Sequence, residues 1–180
     1  MSAVLGMEGD AVAAACEKVR SELSRPVSVA NYNCPGQIVI TGDIEAVTKA
    51  GEVLSAEGAK RVVPLKVSGP FHSTLLEKAS SQLEEALKEV EPAAPVIPYV
   101  TNVTADYVRD ASQVRELLAR QVVSPVRWQQ SMERMIADGF DTFVEIGPGK
   151  TLSGFMKRIN RDIKVINIDK YEDLEKLKEL

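Results

Sequence analysis

The chain has 180 residues, 44% of them hydrophobic and 27% charged, an ordinary globular composition able to bury a core as one domain or two small ones. A formal net charge of -4 argues against nucleic-acid binding by bulk electrostatics. No run of 18 apolar residues occurs, and no basic segment followed by a hydrophobic one opens the chain, which argues against a membrane span or a secretory signal. Cys16 and Cys34 have no CxxC or Cys/His cluster beside them, so neither a disulfide framework nor a zinc or other metal site is expected, and the chain reads as cytoplasmic.

In chain order, Ser2 to Met7 is a short apolar run that reads as a strand. A helix follows to about Leu23, its inner stripe at Val12, Cys16, Val19 and Leu23, and Arg25-Pro26 ends it. Val27 to Asn33 and Gln37 to Thr41 read as strands joined by the turn Asn33-Cys34-Pro35-Gly36, a hairpin signal. Gly42-Asp43 opens a second helix with Ile44, Val47, Ala50 and Leu54 on one face, and Gly58 closes it. Lys60 to Val67 is a fourth strand. The order β-α-β-β-α-β is the ferredoxin-like supersecondary pattern, complete within residues 1–66.

Residues 67–180 read differently. A helix runs from about Thr74 to Glu91-Pro92, followed by a strand over Val96 to Thr104 and a helix over Ala111 to Val123. Ser124-Pro125 predicts a further helix start, with Ser as N-cap and Pro at the first position, continuing through Trp128, Met132, Met135 and Ile136 to Gly139. Phe140 to Ile146 is a strand, Gly147-Pro148-Gly149-Lys150 turns into a helix to about Ile159, Lys164 to Ile168 is a last strand, and Tyr171 to Leu180 a last amphipathic helix. Strands alternating with helices predict an α/β arrangement around a parallel sheet, and three apolar strands predict part of a larger one.

One stretch carries chemistry. Val67-Ser68-Gly69-Pro70-Phe71-His72-Ser73-Thr74 holds the only histidine, on a strand-to-helix turn, with Thr74 and Glu77 spaced as a capping box. A neutral imidazole so placed can take a proton from a nucleophile. On spacing alone, a surface or capping role is the commoner one for such a histidine. Gly147-Pro148-Gly149-Lys150 lacks the spacing of a nucleotide-binding loop and reads as a strand-to-helix turn.

Six motifs stand in order: Asn31-Tyr32-Asn33-Cys34-Pro35-Gly36-Gln37-Ile38-Val39-Ile40, Gly58-Ala59-Lys60-Arg61, Val67-Ser68-Gly69-Pro70-Phe71-His72-Ser73, Val100-Thr101-Asn102-Val103-Thr104, Gln121-Val122-Val123-Ser124-Pro125-Val126-Arg127-Trp128 and Glu145-Ile146-Gly147-Pro148-Gly149-Lys150. Together they resemble the malonyl-CoA:acyl-carrier-protein transacylases of type II fatty-acid synthesis, from the first residues to about Arg158. The resemblance implies a ferredoxin-like small subdomain, residues 1–66, followed by the C-terminal part of an α/β-hydrolase-like acyltransferase domain, residues 67–180. The family's nucleophilic serine lies in a Gly-x-Ser-x-Gly elbow, and no such motif occurs in this sequence. The chain is therefore expected to be the portion that lacks the nucleophile, with the N-terminal half of the enzyme as a necessary partner and no turnover alone.

The resemblance further implies that malonyl is moved from malonyl-CoA to the phosphopantetheine thiol of acyl carrier protein through a serine ester, without metal or redox cofactor. His72 matches the general base and acid. Gln121 matches the position whose backbone carbonyl orients the imidazole; a plain helix C-terminal residue is the other reading. Phe71 matches a position that narrows the acyl pocket, or else simply packs; Asn33 lies with Asn31 and Gln37 on a hairpin that would face the cleft, though satisfying the turn's backbone groups is the commoner role for such residues. Lys60 and Arg61 match basic residues that meet the acidic carrier protein, or else a solvated strand start. The alternatives are a non-catalytic carrier-protein-binding fragment, the acyltransferase domain of a polyketide synthase, and a stand-alone ferredoxin-like domain with an extension.

Overall fold

The computed structural model describes residues 1–179, which form two compact units that divide between Ser131 and Met132. The first unit opens with β1 (Ser2–Leu5), α1 (Gly9–Leu23), β2 (Val27–Cys34), β3 (Gln37–Gly42), α2 (Ile44–Ala56) and β4 (Arg61–Pro64). The four strands make one sheet in the order β2-β3-β1-β4, every neighbour antiparallel, and the expected hairpin joins β2 to β3. Both helices lay their apolar stripes on this sheet. Val12, Cys16 and Val19 of α1 and Val47, Ala50 and Leu54 of α2 pack with Val4, Val29, Ile38 and Ile40 into one buried cluster. Asp43 caps α2 by accepting from the Glu45 and Ala46 amides. Ile44, placed on the inner face by spacing, is 86% exposed, because it is the first helical residue and lines an open groove with Val62, Pro64 and Leu65.

The fourth strand is shorter than its apolar run. In register, Pro64 stands opposite Ser2, where β1 begins, so the ladder runs out of partner. Pro64 also has no amide to donate. The Leu65 amide makes a last bond to the Met1 carbonyl, and residues 65–71 continue without strand pairing.

After this comes a 3-10 turn (Thr74–Leu76), then α3 (Glu77–Leu87), β5 (Tyr99–Val100), β6 (Tyr107–Val108), α4 (Ser112–Gln121) and α5 (Trp128–Ala137). The expected strand over Val96–Thr104 shrinks to Tyr99–Val100, which pairs antiparallel with Tyr107–Val108. Pro95 and Pro98 withdraw donors, leaving Val96 and Ile97 97% and 80% exposed. Thr101–Thr104 is a turn in which the Ala105 amide bonds the Thr101 carbonyl. The capping box at Thr74 and Glu77 does not form; Ser73 is the cap, one residue earlier.

The helix expected to start at Ser124-Pro125 begins at Trp128 instead. A residue before proline is pushed toward extended backbone, and here the extended segment is used. Val126 forms a parallel bridge with Asn31, donating to the Ala30 carbonyl at 2.8 Å and accepting from the Tyr32 amide at 2.9 Å. Val126 thus bridges the free edge of β2 at Asn31.

The second unit carries β7 (Thr142–Ile146), α6 (Thr151–Ile159), β8 (Lys164–Ile168) and a 3-10 segment (Tyr171–Glu179). β7 and β8 pair in parallel, Thr142 opposite Lys164 and Ile146 opposite Ile168, with Met156, Ile166 and Ile168 buried. Of the three strands expected to run parallel, these two do. The final segment is 3-10 rather than α, and Leu180 lies outside the described residues.

Candidate active site

The site is built where the Gly69–Ser73 turn meets the end of α4. His72 is half-buried and has φ +59°, the left-handed region that a residue with a Cβ enters only at a cost. That conformation sends its ring to α4. Its Nδ1 lies 3.1 Å from the main-chain carbonyl oxygen of Gln121. Gln121 is the last residue of α4, so its carbonyl has no helical donor and is open to an outside one.

A carbonyl oxygen only accepts, so this bond requires the proton on Nδ1 and leaves the lone pair on Nε2. The Gln121 side-chain nitrogen also lies 3.3 Å from Nδ1, with a second contact at 3.5 Å to the Ser124 carbonyl. Two donors cannot share that approach, and the carboxamide has the other acceptor. Nδ1–H is therefore assigned to the main-chain carbonyl.

Two serines fix the surroundings. Ser73 is 2% exposed; its Oγ donates to the Pro70 carbonyl at 2.7 Å and accepts from the Leu75 amide at 3.3 Å. Ser80 of α3 donates to the Ala119 carbonyl of α4 at 2.7 Å, fastening the helix that follows His72 to the helix that carries Gln121. Sequence reasoning missed both. A hydroxyl directly after a residue at a helix start was the signal available for Ser73; Ser80 offered none, because its partner is distant in sequence.

Phe71, beside His72, has a 45% exposed ring. Asn33 is half-buried near the end of β2, and Lys60 and Arg61 are exposed where β4 begins. The Lys60 aliphatic stem packs over Gly6, so closely that a Cβ there would lie 2.6 Å from its Cγ. Among the described residues, none of Asn33, Lys60 and Arg61 hydrogen-bonds His72 or Gln121. The structure joins the histidine to Gln121 and keeps Phe71 next to it in the chain.

Cys16 and Cys34 are both buried, and neither is in a disulfide. Burial pushes the Cys16 thiol up to about 12, so it stays protonated at neutral pH and is no nucleophile. Among the described residues, no group of three or more His, Cys, Asp or Glu side chains is placed to hold a metal ion, and no helix is long and apolar enough to cross a membrane.

In the second unit, Glu145, just before the Gly147–Lys150 turn, is bonded across it to the start of α6 and to β8. Its carboxylate accepts from the Leu152 amide at 3.0 Å, from the Ser153 amide at 2.9 Å and Oγ at 2.5 Å, and from Asn167 Nδ2 at 3.2 Å. Burial pushes this carboxyl up, but the bonds from Ser153, Leu152 and Asn167 outweigh it and hold it below the usual glutamate range. The N-terminus of α6 is thus filled by the chain's own carboxylate.

The mixed α/β fold is that of known acyltransferases. The chain belongs to the acyl transferase domain family, which matches residues 1–172. Its relatives include the malonyl CoA-acyl carrier protein transacylase of Bacillus subtilis (strain 168), 43% identical over 175 residues, covering 97% of this chain and 55% of that protein. The enzyme of the same name from Salmonella typhimurium is 43% identical over 159 residues, covering 88% of this chain and 51% of that one. Among solved structures, the Streptococcus pneumoniae MCAT superposes with a TM-score of 0.93 at 43% identity, covering 99% of this chain and 58% of that one. A type II PKS acyl-carrier protein in complex with its malonyl-transacylase gives a TM-score of 0.94 at 35% identity, covering 99% of this chain and 58% of that one. The chain spans about half the length of the curated relatives it matches.

Proposed function

We propose that this chain is the base-bearing portion of an acyl transferase that moves malonyl from coenzyme A to the phosphopantetheine thiol of acyl carrier protein. The serine comes from a segment outside this sequence, since no Gly-x-Ser-x-Gly elbow occurs among the 180 residues. The observation that carries this reading is the Nδ1–H bond of His72 to the Gln121 carbonyl, which leaves Nε2 free to accept a proton.

In the first half-reaction, the serine Oγ attacks the thioester carbonyl of malonyl-CoA while His72 Nε2 takes its proton. The C–S bond breaks, and the imidazolium returns the proton to the coenzyme A sulfur. In the second, the carrier thiol gives its proton to Nε2, its sulfur attacks the serine ester, and the leaving Oγ is protonated by the imidazolium. A main-chain carbonyl suffices as the third member, since it fixes tautomer and ring orientation. Neither step asks for a metal or redox cofactor.

Phe71 bounds the acyl pocket and excludes a branched malonyl carbon, and Asn33 contributes to the cleft wall. Lys60 and Arg61 meet the acidic carrier protein, and their exposure at the start of β4 suits that role. The sheet order β2-β3-β1-β4 and a core drawn only from residues 1–66 support the ferredoxin-like reading of that part as a subdomain distinct from 67–180, although residues 67–131 share one compact unit with it. A cytoplasmic setting fits fatty-acid or polyketide synthesis alike.

The test is to mix the purified chain with a separately made segment of a relative that carries the Gly-x-Ser-x-Gly elbow and to assay malonyl transfer to holo carrier protein. Transfer that appears on mixing and disappears with His72→Ala is expected. Carrier-protein binding without any transfer would instead make the chain a docking module.

A further inference from the structure

We propose that Ser73 is a positioning residue for His72: its hydroxyl staples the two sides of the histidine turn and so holds the ring in the one tautomer that leaves Nε2 unprotonated. This rests on the reading of His72 as the general base.

The geometry is local and closed. Ser73 Oγ donates to the carbonyl of Pro70, two residues before His72, at 2.7 Å, and accepts from the amide of Leu75, three residues after it, at 3.3 Å. The side chain is 2% exposed, so no water stands ready to replace these bonds. Between the two anchors the backbone carries His72 at φ +59°. A non-glycine residue persists there only when its surroundings over-determine the conformation. Pro70 fixes one flank through its own ring, and the other flank is the 3-10 turn that Ser73 caps. Remove the hydroxyl and the cap and the Pro70 anchor are lost together, so His72 can relax toward an ordinary backbone conformation. Its ring then swings away from the Gln121 carbonyl. Once that bond is lost, nothing selects Nδ1–H over Nε2–H. A cap alone would serve the helix; a cap that also closes back across the histidine serves the histidine.

Because His72 is the only histidine, its two ring nitrogens give unambiguous signals in a long-range 1H–15N spectrum of the full chain. The wild type should show a protonated Nδ1 and an unprotonated Nε2. Ser73→Ala should give a mixture with the Nε2–H form clearly populated, while the remaining amide spectrum stays dispersed, and Ser73→Thr, which keeps the hydroxyl, should restore the wild-type pattern. If Ser73→Ala lowers the urea midpoint but leaves the tautomer unchanged, Ser73 is a structural cap only and the proposal fails. If Ser73→Ala does not fold, Ser73→Cys, which keeps the side-chain size and weakens both bonds, is read in the same way. A wild-type ring already protonated at Nε2 would sink the reading of His72 itself, an outcome distinct from failure at Ser73.

Discussion

Nδ1 of His72 and the carbonyl oxygen of Gln121 lie 3.1 Å apart across 49 residues of sequence, and the bond between them uses no atom of the glutamine side chain. Gln121→Ala should therefore leave the Nδ1–H tautomer in place, because the carbonyl is unchanged. The ring nitrogen spectrum checks this directly; a switch to Nε2–H would mean that the carboxamide, 3.3 Å from Nδ1, orients the ring instead.

The same bond sets an expectation for activity. In the mixture that restores transfer, His72→Ala should lower the rate by about 10²–10⁴-fold, the range that a positioned base contributes. The chain alone should show no transfer at all.

Phe71 sits next to His72, and its ring is the bulky group proposed to refuse a branched acyl carbon. Phe71→Ala should raise methylmalonyl transfer relative to malonyl by roughly 10–200-fold, the worth of one methyl group in an apolar pocket. Competition between the two thioesters, read by the mass of the acylated carrier, measures it.

Glu145 makes a prediction about acid. Its folded carboxyl lies below the usual glutamate range, so it contributes stability that is full above that range and is lost as pH falls through the lowered folded value. The urea midpoint of Glu145→Gln should therefore lie below wild type at neutral pH, and the gap should close in acid. A gap that stays constant with pH would show that charge plays no part in the bonds Glu145 accepts from the start of α6 and from Asn167.

At Gly42 the backbone itself is the test. Its φ is +143°, and a Cβ would lie 2.1 Å from the Pro26 carbonyl oxygen, part of the turn where the Asp43 amide bonds the same carbonyl. Gly42→Ala should cost about 2–4 kcal/mol by urea titration. Leu54→Ala, which empties a fully buried position against the sheet, should cost about 2–5 kcal/mol.

Much of the first 66 residues was legible, because the apolar period of each element and the turn residues between them agree. The stripes at Val12, Cys16 and Val19 and at Val47, Ala50 and Leu54 fell where the core is. Elements failed where a long-range partner decides. Ser124-Pro125 has strong helix-start chemistry, yet the free edge of β2 takes the segment as an extended bridge, and nothing local announces that edge. Val96–Thr104 has the apolar content of a strand, but its prolines and the Thr101–Thr104 turn leave only Tyr99–Val100 to pair. At the site, His72 stood out as the single histidine, and Gln121 came only through family resemblance, since a main-chain carbonyl has no side-chain signature. The buried Ser73 staple was invisible to spacing, as its worth depends on a left-handed residue that no pattern reports.

The most direct measurement is the mass of the serine ester itself. The elbow-bearing segment is mixed with malonyl-CoA and either the wild-type chain or His72→Ala, quenched at short times, and weighed intact. Rapid gain of one malonyl group on the segment with the wild-type chain, and little with His72→Ala, is the expected result. Equal gain with both would contradict the assignment of His72 as the base that activates the serine.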